Sequence, residues 1–422
     1  MSPLFTPAKD GGVPTLVLDG GMGTTLQSYP VAQQLDSNLW SSELLKTKQG
    51  RETLEDLHSK WIQAGADVVQ TCTYQSSLPL FLPSTGPYPS ELLDSSLELM
   101  NSAIPLLTEL PHPSNCSHSS SEHKTLTSLS LGPFGASLQP GQEYAGLYPP
   151  PFGPTPSISP SRIASGQEAL DSVPLPLELF SSSSESASPE DYLSAWHLLR
   201  LRHFSKSSQF STLSMLSFET VPNLYEARAI RRAMTLFRKE TGSTTPFYIS
   251  YVFPLVGTDT PQERVKLPDH EVSKTHERLE DQAPLIIQAT FGQLEQEEED
   301  AIVQADGIGF NCTSPLHSKR VTQVLTPAYE SFVSSTSKST PSSAQPFFVL
   351  YPDGGAVYDV ETRTWSHPLG LTDDKWANLV VDAMQVAREG KVWSGVIGGG
   401  CCKASVAAIA ALRTEVEKRG WR

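Results

Sequence analysis

The sequence has few cysteines, no long hydrophobic run and no excess of positive charge. Its five cysteines among 422 residues are an odd, sparse set, which argues against a secreted disulfide framework and favours a reducing compartment such as the cytoplasm. No stretch of 18 or more apolar residues is present, so we expect no membrane-spanning helix. Acidic residues outnumber basic ones by 46 to 31, and the net charge of −15 argues against binding to nucleic acid. Residues 1–12 lack a basic stretch followed by an apolar one, so we expect no signal peptide.

Short, continuously apolar segments alternate along the chain with longer segments of helical periodicity. Continuous apolar character is typical of parallel strands that are buried on both faces. The sequence predicts eight such strands, at residues 15–19, 67–72, 126–131, 213–219, 247–253, 307–311, 347–351 and 393–397. Predicted helices lie between them, at residues 51–64, 90–107, 191–204, 223–239, 319–334, 373–388 and 403–418. Asn223 followed by Glu226 predicts a capping box, and residues 279–303 are predicted to hold two short helices.

Eight successive strand–helix repeats predict an α/β fold, a single (β/α)₈ TIM barrel over residues 1–422. A doubly wound sheet is the alternative, but it would need a phosphate-binding fingerprint after the first strand, and Gly20, Gly21 and Gly23 do not match GxGxxG. Segments near 111–124 and 149–189 are rich in Ser and Pro, and the segment near 257–276 is polar. Because such composition buries little apolar surface, we expect mobile loop insertions there.

Reactive side chains fall where barrel enzymes carry their active sites, at the carboxyl ends of the strands. Asp19 and Glu219 end two predicted strands, Cys312 follows the sixth strand, and Cys401 and Cys402 follow the eighth after three glycines. Three thiolates suit one zinc ion and leave a fourth position for a substrate sulfur, which the metal would hold as a nucleophilic thiolate. We expect the glycines to permit a sharp turn and the following helix to favour a thiolate at Cys402.

Other interpretations of these residues stay open at this point. Free cysteines are often small buried hydrophobic residues, and GVIGGG after the eighth strand is compatible with a phosphate-binding loop. Asp19 could instead cap a turn, and Glu219 could form a structural ion pair. The Ser-rich segment holds a second set of metal-ligand types, but its composition argues against a fixed site at His112, Cys116, His118 and His123.

Seven blocks of the chain resemble, in order, the motifs of the homocysteine S-methyltransferase family. They are LDGGMGTTL (18–26), ADVVQTCTYQ (66–75), SLGPFGASLQPGQEY (130–144), SFETVPNLYEA (217–227), GIGFNCTSP (307–315), YPDGG (351–355) and GGGCC (398–402). These blocks span nearly the whole chain apart from the insertions. The pairing of an NC motif with a later GGCC motif is specific to the family.

The resemblance implies an enzyme that transfers a methyl group to L-homocysteine and gives methionine. It implies that Cys312, Cys401 and Cys402 bind one Zn²⁺ per chain, and that Asp19 and Glu219 accept the ammonium group of homocysteine. Two carboxylates at one rim suit a cation. The resemblance to this family does not indicate the oligomeric state of the protein.

The motif FETVPN resembles that of family members which use a sulfonium donor, S-methylmethionine or S-adenosylmethionine, more than that of members which use betaine. Trp40, Phe134 and Tyr144 could contact a sulfonium cation, although aromatic residues are more often core or loop residues. One departure is Lys403, where the family commonly has an Arg, so a planar bidentate donor becomes a point charge.

Three alternatives to this function remain. A selenocysteine or selenohomocysteine acceptor, or a betaine donor, would keep the methyl transfer. A non-catalytic zinc or redox-sensing barrel would bind metal but would not catalyse methyl transfer. An aldolase-type phosphate-handling barrel would need a Schiff-base lysine or metal-binding carboxylates at the strand ends, and the absence of lysine from all eight predicted strands counts against it.

Overall fold

The computed structural model describes residues 4–422 except 7, 9, 36, 38, 84, 111–124, 139–140, 156–172, 255–264, 295–300, 337–344, 360–363 and 367–368. Eight parallel strands form one sheet in the spatial order β1-β10-β7-β6-β5-β4-β3-β2. They are β1 Thr15–Val17, β2 Val68–Gln70, β3 Leu126–Leu131, β4 Met215–Val221, β5 Phe247–Val252, β6 Gly307–Asn311, β7 Phe347–Tyr351 and β10 Val396–Gly398. A parallel bridge between Leu18 and Val68 joins the two edges. The predicted TIM barrel is therefore confirmed.

All eight predicted strands correspond to observed ones, with shifted ends. The last strand begins later than predicted because Trp393 packs outside the sheet, stacked 4.6 Å from the Tyr329 ring, and its indole donates to Thr326. A short antiparallel hairpin, β8 Val357–Asp359 and β9 Thr364–Ser366, was not predicted. It lies between the seventh and eighth barrel strands along the chain.

Helices connect and surround the barrel strands. They are α1 Met22–Leu26, α2 Lys48–Gln63, α3 Leu78–Phe81, α4 Ser90–Asn101, α5 Ala103–Thr108, α6 Pro189–Phe204, α7 Leu224–Thr241, α8 His270–Ser273, α9 Leu279–Phe291, α10 Pro315–Thr336, α11 Asp373–Gly390 and α12 Val406–Lys418. Their apolar faces pack on the outside of the sheet and form the main core with it. No helix in the described part of the chain is both long enough and apolar enough to cross a membrane.

Two helical predictions were wrong in detail. The predicted helix 90–107 is broken at Ser102, because Pro105 has no N–H to offer the carbonyl of Asn101. Of the two short helices predicted in 279–303, the structure has the single helix α9, and residues 295–300 lie outside the described residues.

The predicted capping box at Asn223 and Glu226 was also wrong. The Asn223 side chain makes no capping bond, and a carboxylate oxygen of Asp269 accepts the backbone N–H of Leu224 at 2.8 Å instead. A capping box does occur at α6, where Ser188 and Asp191 bond each other's backbone N–H groups. A distant side chain thus took over the role that the local pattern assigned to Asn223.

The barrel interior is apolar at one end and polar at the other. Inward-facing residues such as Leu16, Val68, Phe347 and Ile397 form a separate apolar cluster inside the barrel. Toward the carboxyl ends, the strands contribute buried polar residues at alternate positions, among them Gln70, Ser130, Glu219, Ser250 and Asn311. A buried polar layer at this end is where a TIM barrel holds its active site.

The three predicted insertions are only partly within the described residues. Segment 111–124 lies outside them, together with His112, Cys116, His118 and His123. In the second insertion, Phe152 and Val173 are buried, while residues 156–172 lie outside the described part. In the third, residues 265–276 include α8, and Asp269 caps α7 as described above.

Candidate active site

The structure brings the three predicted zinc cysteines together at the carboxyl end of the barrel. Their sulfur atoms all lie within 4.8 Å of one another, and they are the one such group of potential ligands among the described residues. Cys312 and Cys401 are joined as a disulfide with their Cα atoms 5.4 Å apart. The sulfur of Cys402 is a free thiol 3.9 Å from that of Cys312.

In its reduced state, this cysteine cluster is suited to bind a zinc ion. Soft sulfur donors suit zinc, and two thiolates on one tetrahedral ion, with Zn–S bonds of about 2.3 Å, lie roughly 3.8 Å apart. The 3.9 Å separation of Cys312 and Cys402 matches that value. Reduction of the disulfide would free the third sulfur, so the disulfide and a three-thiolate set are alternative states of one cluster.

The glycines before the paired cysteines are required by close packing rather than by a sharp turn. Gly398, Gly399 and Gly400 are not among the described glycines with positive φ. A Cβ at Gly399 would lie only 2.5 Å from the Cβ of Leu18, while the Gly400 N–H donates to the Asp19 carbonyl at 3.0 Å. The run therefore brings β1 and the cysteines close together, and this packing leaves little room for a phosphate loop.

Strained backbone lies next to the site residues. Three of the five non-glycine residues with left-handed φ in the described chain are Thr220 (59°), Cys312 (45°) and Lys403 (64°), each at or beside a candidate site residue. The Asn311 amide holds one of them, Thr220, through two hydrogen bonds: its oxygen accepts the Thr220 N–H at 2.8 Å, and its nitrogen donates to the Thr220 hydroxyl at 2.7 Å. The same nitrogen lies 3.8 Å from the sulfur of Cys401.

Burial disfavours a thiolate at Cys402 in the polypeptide alone. Burial, together with the negative charges of Asp353 and Glu143, raises the pKa of this thiol to about 12, against the lowering effect of a hydrogen bond from Tyr144. The expected help from the following helix is thus outweighed, since α12 begins only at Val406. A thiolate here calls for a bound cation such as zinc.

Asp19 and Glu219 are both buried, and Gln70 links them. The Gln70 backbone N–H donates to Asp19 at 2.8 Å, and its side-chain amide donates to Glu219 at 2.9 Å. Ser130 and Tyr351 also donate to Glu219. The second carboxylate oxygen of Asp19 is buried and has no hydrogen-bond partner among the described residues. An orphaned carboxylate oxygen is an acceptor available to a ligand.

Burial also raises the pKa values of both carboxyl groups. The pKa of Asp19 lies well above its ordinary value because of burial and the nearby charge of Glu219. Burial raises the pKa of Glu219 to about 7, against the lowering effect of its donors and of Arg200. A bound cation between them would restore both charges, so the pair is suited to an ammonium group.

The remaining predicted residues have separate places. Phe134 is a core residue, and Trp40 packs against Gly23. Tyr144 alone of the three aromatic candidates is linked to the cysteine cluster. Lys403 donates from its Nζ to Gln27 at 2.9 Å.

Sequence reasoning missed the polar residues that hold the site. Gln70, Ser130 and Asn311 sit inside apolar strands, and their strand-end position beside the candidate residues was a readable signal. Glu143 and Asp353 lie in loops, and burial raises the pKa of each to about 7. Their approach to Cys402 depends on tertiary structure, so no sequence spacing indicates it.

Comparisons with known proteins agree with this geometry. The sequence model described as homocysteine S-methyltransferase matches residues 16–416. Homocysteine S-methyltransferase 1 of Arabidopsis thaliana is 25% identical over 407 residues, covering 96% of this chain and 94% of that protein. Homocysteine S-methyltransferase YbgG of Bacillus subtilis is 24% identical, covering 84% and 82% of the two chains.

The fold also matches a solved structure along its length. The metallated form of the homocysteine methyltransferase MmuM from Escherichia coli superposes with a TM-score of 0.57 at 18% identity, covering 95% of this chain and 96% of that one. The oxidised form of the same protein gives a TM-score of 0.55. The prediction that this chain is a methyltransferase enzyme is confirmed, and the chain belongs to the homocysteine S-methyltransferase family.

Proposed function

We propose that this enzyme transfers a methyl group from a sulfonium donor, S-methylmethionine or S-adenosylmethionine, to L-homocysteine in a zinc-dependent reaction that gives methionine. The observation that carries the proposal is the cluster of three cysteine sulfurs within 4.8 Å, at the same barrel end as two buried carboxyl groups. Methyl transfer to homocysteine is the reaction for which the family is named.

Cys312, Cys401 and Cys402 would hold one zinc ion. When bound, the ion supplies positive charge that keeps the homocysteine sulfur as a thiolate at neutral pH. Because this state needs three free thiols, the proposal places the working enzyme in a reducing compartment such as the cytoplasm. The disulfide between Cys312 and Cys401 is then an inactive state of the same residues.

Asp19 and Glu219 would bind the ammonium group of homocysteine. The unpartnered oxygen of Asp19 offers an acceptor, and Gln70 fixes both carboxylates relative to each other. Because the carboxyl groups and the cysteines lie at the same barrel end, an amino acid held in this way would have its thiol free to reach the cysteines. A fixed thiolate needs only an in-line methyl group to react, since the sulfonium donor is already activated.

The charge around the cluster favours a cationic donor. The charges of Glu143 and Asp353 raise the pKa of Cys402, and a hydrogen bond from Tyr144 lowers it, so these three side chains surround its sulfur. Negative groups and aromatic rings stabilise a sulfonium cation and repel an anionic donor. Betaine also carries a cationic group, and selenohomocysteine would fit the same acceptor site, so both remain alternatives for the test.

The first experiment measures methionine formation from homocysteine by reduced, zinc-loaded protein, with S-methylmethionine, S-adenosylmethionine and betaine in parallel. We expect turnover with a sulfonium donor and its loss in Cys401→Ser, with Cys72→Ser as a matched control, because Cys72 is buried away from the cluster. Turnover with betaine alone would refute the donor assignment. Activity that survives in Cys401→Ser would refute the role of the cysteines.

A non-catalytic redox-sensing barrel is a second candidate, and the disulfide beside a free thiol is the observation that favours it. Such a protein would bind zinc and release it on oxidation, yet form no methionine with any donor. Zinc content measured before and after oxidation, together with the turnover assay, separates the two functions.

A further inference from the structure

A buried carboxylate lies outside the site but joins three elements that surround it. Glu226 of α7 is fully buried. One of its oxygens accepts the backbone N–H of Phe134 at 2.7 Å and lies 3.1 Å from Nε2 of His197, which is on α6. The other accepts the hydroxyl of Tyr148 at 2.6 Å. Phe134 and Tyr148 belong to one loop after β3, here called the rim loop and described over 132–138 and 141–153.

The rim loop folds back on itself around these two anchors. The carbonyl of Gly135, next to Phe134, accepts the N–H of Gln142 at 2.9 Å. A Cβ at Gly135 would lie 2.7 Å from the Tyr148 ring and 2.8 Å from the backbone of Gln142 and Glu143, so these parts are in close contact. The Phe134 ring also stacks on Phe152, with centroids 4.0 Å apart. The position of residues 142–144 therefore follows from the position of the two anchors.

Two residues of the rim loop act on the cysteine cluster. The pKa of the Cys402 thiol is lowered by Tyr144 as a hydrogen-bond partner and raised by the charge of Glu143, so both residues lie near this thiol. A set of contacts thus runs from Glu226 through the two anchors to the part of the loop that acts on a candidate zinc ligand. An apolar residue of similar size would fill the Glu226 position without the cost of burying a carboxylate, but it could not hold both ends of the loop.

We infer that Glu226 is a positioning residue, which fixes the rim loop so that Tyr144 and Glu143 face Cys402 and the methyl donor. This inference rests on the proposed function, because the position of Tyr144 and Glu143 matters for activity only if the enzyme binds a methyl donor beside Cys402. Homocysteine binding is expected to be independent of Glu226, because Asp19 and Glu219 are carried by the barrel strands and their ends. We therefore expect substitution of Glu226 to slow methyl transfer from the donor and to leave the binding of homocysteine unchanged.

The test compares Glu226→Gln and Tyr148→Phe with Glu240→Gln. Glu240 is the matched control: it lies on α7 and also bonds a residue of α6, Arg202, at 2.9 Å, but it is far along the helix from the rim loop. Hydrogen–deuterium exchange of residues 141–148 is measured in the full-length reduced protein. Steady-state kinetics of the zinc-loaded protein then give kcat and the KM of each substrate.

We expect Glu226→Gln to speed exchange in 141–148 on the order of 10-fold, the effect of losing about 1.4 kcal/mol from a hydrogen bond to a charged group. We expect kcat to fall on the order of 10-fold with an unchanged KM for homocysteine. Tyr148→Phe should act in the same direction, and it decides the matter if Glu226→Gln does not fold. Glu240→Gln should change neither quantity.

Two results would overturn the inference. One is exchange in residues 141–148 that is the same in both test variants as in Glu240→Gln. The other is a loosened loop with unchanged kcat. If the wild type formed no methionine with any donor, the proposed function would fail, and the inference that rests on it would fail with it, whereas the exchange data would still report separately on the loop.

Discussion

Glu219 combines burial, which favours its neutral form, with a proposed role that needs its charge. Burial raises the pKa of Glu219 to about 7, and its surroundings are Ser130, Gln70 and Tyr351 as donors, the charge of Arg200, and Asp19. Above pH 7 the group is a carboxylate and can bind an ammonium group, whereas below pH 7 it is protonated and cannot. We therefore expect kcat/KM for homocysteine to fall as the pH drops below about 7.

A pH profile of kcat/KM for wild type and Glu219→Gln checks this expectation. The variant should lose on the order of 10- to 100-fold in kcat/KM at pH 8, as for a lost hydrogen bond to a charged group, and its acid limb should flatten. If the acid limb persists unchanged in the variant, it belongs to another group, such as a zinc-bound thiolate.

The same burial costs stability, which provides a control against simple misfolding. The folded-state pKa of Glu219 lies above its ordinary value of 4.5, so its contribution to folding is most favourable below pH 4.5 and is lost as the pH rises toward 7. Glu219→Gln removes that cost, and its melting temperature at pH 8 should equal or exceed that of the wild type. Reduced activity in a more stable variant is the expected sign of a functional carboxylate.

At the scale of elements, the contact between β1 and the segment after β10 sets the distance between the carboxylates and the cysteines. Gly399 packs against Leu18 and the carbonyl of Asp19, and a Cβ there would lie 2.5 Å from Leu18. Gly399→Ala should push the two segments apart and destabilise the fold by about 1–3 kcal/mol, as overpacking does. It should also lower the zinc content of the purified protein.

Denaturant unfolding and zinc stoichiometry measure both effects. Gly12→Ala is the comparison variant, since Gly12 precedes β1 and the atoms nearest to a Cβ there belong to the flexible side chains of Arg388 and Asp10. A full zinc complement in Gly399→Ala would show that the glycine is needed for packing alone and not for the cluster.

At the scale of the whole molecule, the order of repeats was predictable and the tertiary polar network was not. The barrel followed from eight apolar strands alternating with helices, and three cysteines on one rim followed from their place after β6 and β10. Glu226 shows the limit: local spacing predicted a capping box, while in the folded chain it bonds a loop about 90 residues earlier. Contacts at such separation leave no periodicity in the sequence.

Net charge gives a further expectation about the donor. The chain carries a charge of −15, and both sulfonium donors carry one net positive charge near neutral pH, whereas homocysteine and betaine carry none. The field of the whole protein should therefore concentrate a sulfonium donor, and salt should screen that attraction, with a Debye length of about 10 Å at 0.1 M and about 3 Å at 1 M. We expect the KM of the sulfonium donor to rise severalfold between low salt and 1 M salt.

The KM of homocysteine, measured in the same reactions, serves as the internal control and should stay nearly constant. A donor KM that does not respond to salt would mean that net charge plays no part in capture of the donor, and that its affinity comes from short-range contacts at the barrel rim.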